Sequence, residues 1–131
     1  MGTSLRALIV DDDPNIRLMC RLNMQADGLS VAEAADGQEA LDLMGNWLPD
    51  VVITDLAMGR LDGAGLIRAM RSDDALTGIP VIVMTAFSLR DMDPVVRREA
   101  HSVFTKPFSY TALSSAIRAA AAMPDQLGQH R

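Results

Sequence analysis

The sequence predicts an α/β fold, a (βα)5 chain wound into a doubly wound, five-stranded parallel sheet of order 2-1-3-4-5 with helices on both faces. Three observations carry that expectation. Short apolar, largely β-branched runs recur along the chain, as in strands buried on both faces. Helical patterns with their own start signals separate these runs. The 131 residues, 49% apolar and 22% charged, suit one domain with one core.

The first strand is expected at Ala7–Val10, where the apolar run stops at Asp11. Asp13-Pro14 then opens a helix, with proline at a tolerated first-turn position and Ile16, Met19, Cys20 and Met24 sharing the inner face. Ser30–Ala35 is weaker in β-propensity and reads as an edge strand. Asp36, three residues before Glu39, has capping-box spacing and starts a second helix with Ala40, Leu41 and Met44 inward. Val51–Thr54 is the next strand, ending at Asp55, followed by a helix over Gly65–Arg71 with Leu66, Ile67 and Met70 inward. Ile79–Met84, broken by Pro80 near its start, ends at Thr85. The helix over Asp91–Glu99 is poor, with Pro94 in its first turns and few apolar anchors. Ser102–Thr105 precedes Lys106-Pro107. Leu113, Ala116, Ile117, Ala120 and Ala121 give the last helix a clean apolar stripe, which Pro124 ends. Right-handed crossovers place these helices on both faces of the sheet.

Ligands of open parallel sheets lie beyond the carboxyl ends of the strands. Four of the five expected strands end on a reactive polar group: Asp11-Asp12, Asp55, Thr85 and Lys106. The edge strand, ending on Ala34-Ala35, is expected to contribute nothing. In the order 2-1-3-4-5 the polar ends are neighbours, so three carboxylates, one hydroxyl and one ammonium meet. Carboxylates in a small space repel and resist full ionisation. Mg²⁺ relieves that, since two carboxylates, one backbone carbonyl and several waters satisfy it. Asp55 then has the chemistry of a nucleophile toward phosphorus. Thr85 and Lys106 supply a hydroxyl and a cation for the open side of a phosphoryl group. The chain has eleven arginines and a single lysine, Lys106, so a compact ammonium on a flexible stem was selected there.

Composition excludes several other classes. Seventeen acids against twelve basic residues, with no basic stripe, argue against nucleic acid as a direct partner. One cysteine excludes a disulfide framework and a thiolate zinc site. The apolar runs are too short to span a membrane, and Met1–Leu5 lacks a signal h-region, so a cytoplasmic location is expected. Cys20 reads as core, Trp47 as packing at the end of the second helix, and His101 as a loop residue. His130 lies in the polar tail, and Asp73-Asp74 and Arg97-Arg98 read as solvated faces.

Val10-Asp11-Asp12-Asp13, Pro49-Asp50 leading into Val51–Asp55, the spacing of Met58, Asp62 and Gly63, Thr85-Ala86 and Lys106-Pro107-Phe108 act as a set. Over about residues 5–122 the chain resembles the receiver domain of bacterial two-component response regulators, the flavodoxin-like fold of the chemotaxis response regulator. Residues 1–4 are then an N-terminal extension and 123–131 a polar C-terminal tail. The resemblance implies Asp55 as phosphoacceptor and metal ligand, Asp12 as a direct Mg²⁺ ligand, Asp11 acting through water, and Ala57 lending its backbone carbonyl. Asp13 is read as a helix cap. The implied phosphodonor is a phosphohistidine on a sensor histidine kinase or histidine phosphotransfer protein. The chain would phosphorylate and dephosphorylate itself only, without turnover of free substrate. The surface of the fourth helix, fifth strand and fifth helix would bind a protein target or a second copy. The sequence fits equally a stand-alone regulator and a receiver from a transcription factor or hybrid kinase.

Three positions depart from the family pattern. Gly59 stands where proline is usual. The aromatic position three residues before the lysine holds Val103, with Phe104 beside it, so either that switch is absent or a bulge lets Phe104 replace it. Glu99-Ala100 stands in place of Gly-Ala. Small Ala57 and bulky Phe87 flank the route of an attacking water and predict slow loss of a phosphoryl group. Two other function classes share parts of the pattern. An aspartyl-phosphate hydrolase needs a second acid two residues after the nucleophile, where Ala57 stands, and a scaffold that only binds partners would not need the full acid, hydroxyl and lysine set.

Overall fold

The computed structural model describes residues 4–86 and 92–122. Strands β1 (Arg6–Val10), β2 (Ser30–Ala34), β3 (Val51–Asp55), β4 (Val81–Thr85) and β5 (Ser102–Thr105) alternate with helices α1 (Pro14–Ala26), α2 (Gly37–Met44), α3 (Gly63–Arg71), α4 (Pro94–Glu99) and α5 (Tyr110–Ala122). The strands form one parallel sheet of order β2-β1-β3-β4-β5, as the sequence predicts. Alternate strand residues feed two cores, which is why the runs are apolar without interruption. Leu8, Val10, Val52, Val81 and Val83 belong to the core that includes residues of α2, α3 and α4. Ala7, Ile9, Val51, Ile53, Ile82 and Met84 belong to the core shared with α1 and α5.

Side-chain caps set the helix starts. Asp13, Asp36, Asp62 and Asp93 accept backbone N–H bonds from Asn15, Glu39, Gly65 and Val95. Glu39 returns the contact to the N–H of Ala35 at 2.6 Å, one residue before the expected capping-box donor. The Asp62 cap starts α3 at Gly63, two residues earlier than the apolar pattern suggests. Strand β4 starts at Val81 rather than Ile79, because Pro80 has no N–H for the ladder. Its carbonyl still accepts from Val52 N–H at 3.0 Å.

Met19 is a correction. It is 38% exposed, beside Leu18 and Leu22 on the solvent side of α1, while Cys20 and Met24 make the buried contact. One residue is about a quarter turn, enough to carry Met19 off the inner stripe. Helix α4 is better anchored than its sequence suggests. Met92, Val95 and Val96 are buried, and ion pairs Arg68–Asp93 and Arg71–Glu99 tie it to α3. Trp47 packs partly buried on the α2 side, with the Arg6 guanidinium 5.3 Å above its ring. Burial pushes the Cys20 thiol up to about 11, consistent with a core residue. His101 is exposed. Among the described residues, no helix is long and apolar enough to cross a membrane. Phe87, residues 1–3 and the tail from 123 lie outside the described residues.

Candidate functional site

Parallel pairing brings the polar strand ends to one edge of the sheet. Val10 lies opposite Thr54, so Asp11 and Asp55 leave β1 and β3 side by side. Thr85 pairs with Thr105, which delivers Lys106 next to them, and Lys106 N–H donates to the Thr85 carbonyl at 2.8 Å. Asp11, Asp12 and Asp55 each present a carboxylate oxygen within 4.8 Å of the others. Asp11 is fully buried, Asp55 nearly so, and Asp12 is exposed.

Lys106 Nζ bridges the two buried acids, donating to Asp11 Oδ2 at 3.0 Å and Asp55 Oδ2 at 3.1 Å. The remaining oxygens take backbone donors: Asp11 Oδ1 accepts from Asp13 N–H at 2.9 Å, and Asp55 Oδ1 from Leu56 N–H at 2.7 Å. Burial pushes the Asp11 carboxyl above the ordinary range, against the lowering effect of the Asp13 N–H and Lys106, and the Asp55 charge adds to the rise. Burial opposes the Lys106 charge too, but its hydrogen bonds to Asp11 and Asp55 outweigh that and raise its pKa. Both directions fit one picture: for the fully buried Asp11 desolvation wins, while for the partly buried Lys106 the two acids together outweigh it. Three carboxylates against one ammonium leave a formal charge of about −2 on an all-oxygen donor set, which suits a hard divalent cation.

The loop after β3 is fastened at both ends. A Cβ on Gly63 would lie 2.4 Å from the Asp55 carbonyl oxygen, so only glycine lets α3 begin against the strand end. Gly63 N–H also donates to the Leu56 carbonyl at 2.9 Å. At the far end, Gly37 N–H donates to Leu61 O at 2.8 Å and Arg60 pairs with Asp36 at 3.0 Å. Ala57 and Met58 line a cleft of about 660 Å³ that runs from Asp12 to Met92, Asp93 and Val96 of the α4 region. Nothing lies within 4 Å of an added Cβ at Gly59.

The other sequence-singled residues fall as follows. Thr85 is fully buried at the end of β4. The Lys106-Pro107 bond is cis. β5 pairs with β4 residue for residue from Ile82↔Ser102 to Thr85↔Thr105, with no bulge. Val103 therefore packs with the α4-side core and Phe104 with the opposite one. Among the described residues the edge strand adds no group to the acid cluster itself, but Glu33 within it supports the site from outside. Glu33 Oε1 accepts from Arg17 Nε at 3.2 Å, and Arg17 Nη1 donates to the Asp11 carbonyl at 2.7 Å. The signal available in sequence was an acid placed among the small apolar residues of an otherwise core-forming strand.

The family model for the response regulator receiver domain matches residues 7–118. The response regulator MprA of Mycobacterium sp. (strain KMS) is 39% identical over 118 residues, covering 88% of this chain and 50% of that protein. The chain spans about half the length of the curated relatives it matches, 46% and 50% for the first two. Among solved structures, chemotaxis response regulator CheY4 of Vibrio cholerae superposes with a TM-score of 0.83 at 28% identity, covering 90% of this chain and 99% of that one. The signal receiver domain of a signal transduction histidine kinase from Syntrophus aciditrophicus gives a TM-score of 0.81 at 27% identity, covering 91% of each chain. Sheet order, strand-end chemistry and these matches agree: the chain belongs to the response regulator receiver domains, the phosphoacceptor signalling domains of two-component systems.

Proposed function

We propose that Asp55 accepts a phosphoryl group, in a Mg²⁺-dependent transfer from a phosphohistidine on a sensor histidine kinase or histidine phosphotransfer protein. The observation that carries this reading is the Lys106 ammonium held between the buried carboxylates of Asp11 and Asp55, with Asp12 beside them. Asp11, Asp12, Asp55 and the Ala57 carbonyl would hold the ion, Asp11 through water. When bound, Mg²⁺ supplies charge neutralisation for the acids and for the transferring phosphoryl oxygens. A carboxylate oxygen of Asp55 forms the new O–P bond as the N–P bond of the donor imidazole breaks, and the imidazole nitrogen keeps the electron pair and later takes a proton from water. Lys106 and Thr85 then serve the phosphoryl oxygens, Lys106 as a fixed cation and Thr85 as a hydroxyl donor. The chain is a switch that modifies itself, not a turnover catalyst.

The same reading assigns the output to the surface of α4, β5 and α5, which would take a protein target or a second copy. The phosphoryl group adds charge beside Thr85 and Lys106, and α4 shares the cleft through Met92, Asp93 and Val96. The test is intact mass after treatment with a small phosphodonor and Mg²⁺. Wild type gains one phosphoryl group, and Asp55→Asn, still folded, gains none. Equal labelling of the variant under limiting donor overturns the assignment.

A further inference from the structure

We propose that Arg17 is a positioning residue for the metal site: it aims Asp12 by fixing the Asp11–Asp12 peptide, and Glu33 of the edge strand holds it in place. The proposal rests on the phosphoacceptor reading above and deepens it. Asp11 and Asp55 each have both carboxylate oxygens tied down. Asp12 is different. It is exposed, and its carboxylate has no hydrogen-bond partner among the described residues. What its carboxylate can reach is therefore set by where its backbone is held.

That backbone is held from two sides. Asp11 N–H donates to the Ala34 carbonyl of β2 at 3.1 Å, which continues the sheet one residue past β1. The Asp11 carbonyl accepts from Arg17 Nη1 at 2.7 Å, a short, charge-assisted bond. This carbonyl shares one rigid plane with the Asp12 N–H, so fixing the oxygen fixes the point from which the Asp12 side chain departs. Arg17 sits in the first turns of α1 and would be free to swing without a second contact. Glu33 supplies it, through Arg17 Nε at 3.2 Å. A planar guanidinium holds its Nε and Nη1 donors in a fixed fork, so one rigid group spans the two separate partners, a geometry the point-like ammonium of lysine lacks. Arg21 meets the other oxygen of Glu33 at 2.7 Å, but its Nε–H is not aimed as a hydrogen bond, and it touches no backbone of the site.

The sign of the effect separates positioning from charge. Arg17 is a cation next to an expected cation site, so by electrostatics alone its removal would tighten Mg²⁺ binding. Positioning predicts the opposite. Loss of one charged hydrogen bond that orders a ligand weakens Mg²⁺ binding about tenfold. The experiment titrates Mg²⁺ by calorimetry into wild type, Arg17→Met, Arg17→Lys and Arg21→Met, and measures phosphorylation of Asp55 by mass as Mg²⁺ rises. Arg17→Met shifts the Mg²⁺ midpoint about tenfold in both assays and recovers near wild-type labelling at saturating Mg²⁺. Arg17→Lys, which keeps the charge but not the forked donor geometry, recovers part of the affinity. Arg21→Met stays within about twofold of wild type. If Arg17→Met does not fold, Arg17→Lys carries the test, with an expected loss of about threefold. Unchanged or tighter Mg²⁺ binding in the folded Arg17 variant, with a competent wild type, overturns the proposal alone. A wild type that neither binds Mg²⁺ nor takes a phosphoryl group overturns the phosphoacceptor reading, and this proposal with it.

Discussion

Replacing Lys106 by methionine measures what the bridging ammonium contributes to the metal-free fold. Its Nζ lies 3.0 and 3.1 Å from two carboxylates whose side chains are 0% and 10% exposed. At an effective dielectric of about 20, each such contact carries a gross attraction of about 5 kcal/mol, most of it offset by desolvation. Removing one partner of a buried pair costs about 3–5 kcal/mol, because the other charge is left behind. The Lys106 side chain keeps 22% of its exposure, and screening reduces the expected loss to about 2–3 kcal/mol. For a chain of 131 residues that lowers Tm by about 7–11 °C. The pH dependence has a definite sign. The folded pKa of Lys106 is raised, so its contribution is fully present below the unfolded value of 10.5 and is lost only as pH rises through the folded pKa. At pH 7 the variant therefore loses all of it. With the ammonium gone, the Asp11 carboxyl, already pushed up by burial, takes a proton in the folded state more readily than in the unfolded chain. The deficit then shrinks as pH falls from 7 toward 5, and Mg²⁺ shrinks it at pH 7. Thermal melts followed by circular dichroism, at both pH values and with and without Mg²⁺, read this directly. Equal Tm values at pH 7 without metal, or a deficit indifferent to both pH and Mg²⁺, would refute the reasoning.

Two further substitutions test the supports of the site. Gly63→Ala puts a Cβ 2.4 Å from a backbone oxygen that no rotamer change can relieve, and should cost about 3 kcal/mol and weaken Mg²⁺ binding. Gly59→Ala, with nothing within 4 Å, should change stability by less than about 0.5 kcal/mol, and similar chemical denaturation curves for the two variants would show the close approach to be unimportant. Tyr110 is the only tyrosine, and burial first, then its hydrogen bond to Asp27, pushes it up to about 12. Asp27→Asn should move its ultraviolet titration midpoint down toward, but not to, the ordinary value of about 10, since burial remains; an unmoved midpoint would deny the contact.

The sheet was legible because its signals are local. Continuous apolar runs mark strands buried on both faces, and the runs of β1, β3, β4 and β5 stop at the residues now gathered at one edge of the sheet. Asp11, Asp12, Asp55 and Lys106 could be grouped once the strand order was assumed, and the parallel register brings them together. What sequence did not carry was support that depends on distant segments. Glu33 and Arg17 are sixteen positions apart and meet only because β2 lies beside β1. Helix α4 looked weak because two of its restraints are the ion pairs Arg68–Asp93 and Arg71–Glu99, which no periodicity within its own segment predicts. Met19 misled for a related reason: an apolar residue on the edge of an inner stripe is assigned by the helix's rotation against the sheet, which neighbours in space decide.

Val103 and Phe104 were ambiguous for a reason that lies in the geometry of strands. Side chains alternate faces, so a shift of one residue exchanges the two. A bulge in β5 would have turned the Phe104 ring toward α4, and only the pairing partner reveals whether one exists. The ladder against β4 is regular, so the ring packs with the α1 and α5 core and the smaller Val103 faces the α4 side. Under the proposed function, β5 then presents no large ring on the α4 side to exchange places as Thr85 turns toward a phosphoryl group. The change then passes through backbone and through the buried anchors Met92, just ahead of α4, and Val95 and Val96 within it. Those anchors share one core with Val103, so a shift of the strand end is felt by the helix through direct packing rather than through a side-chain flip.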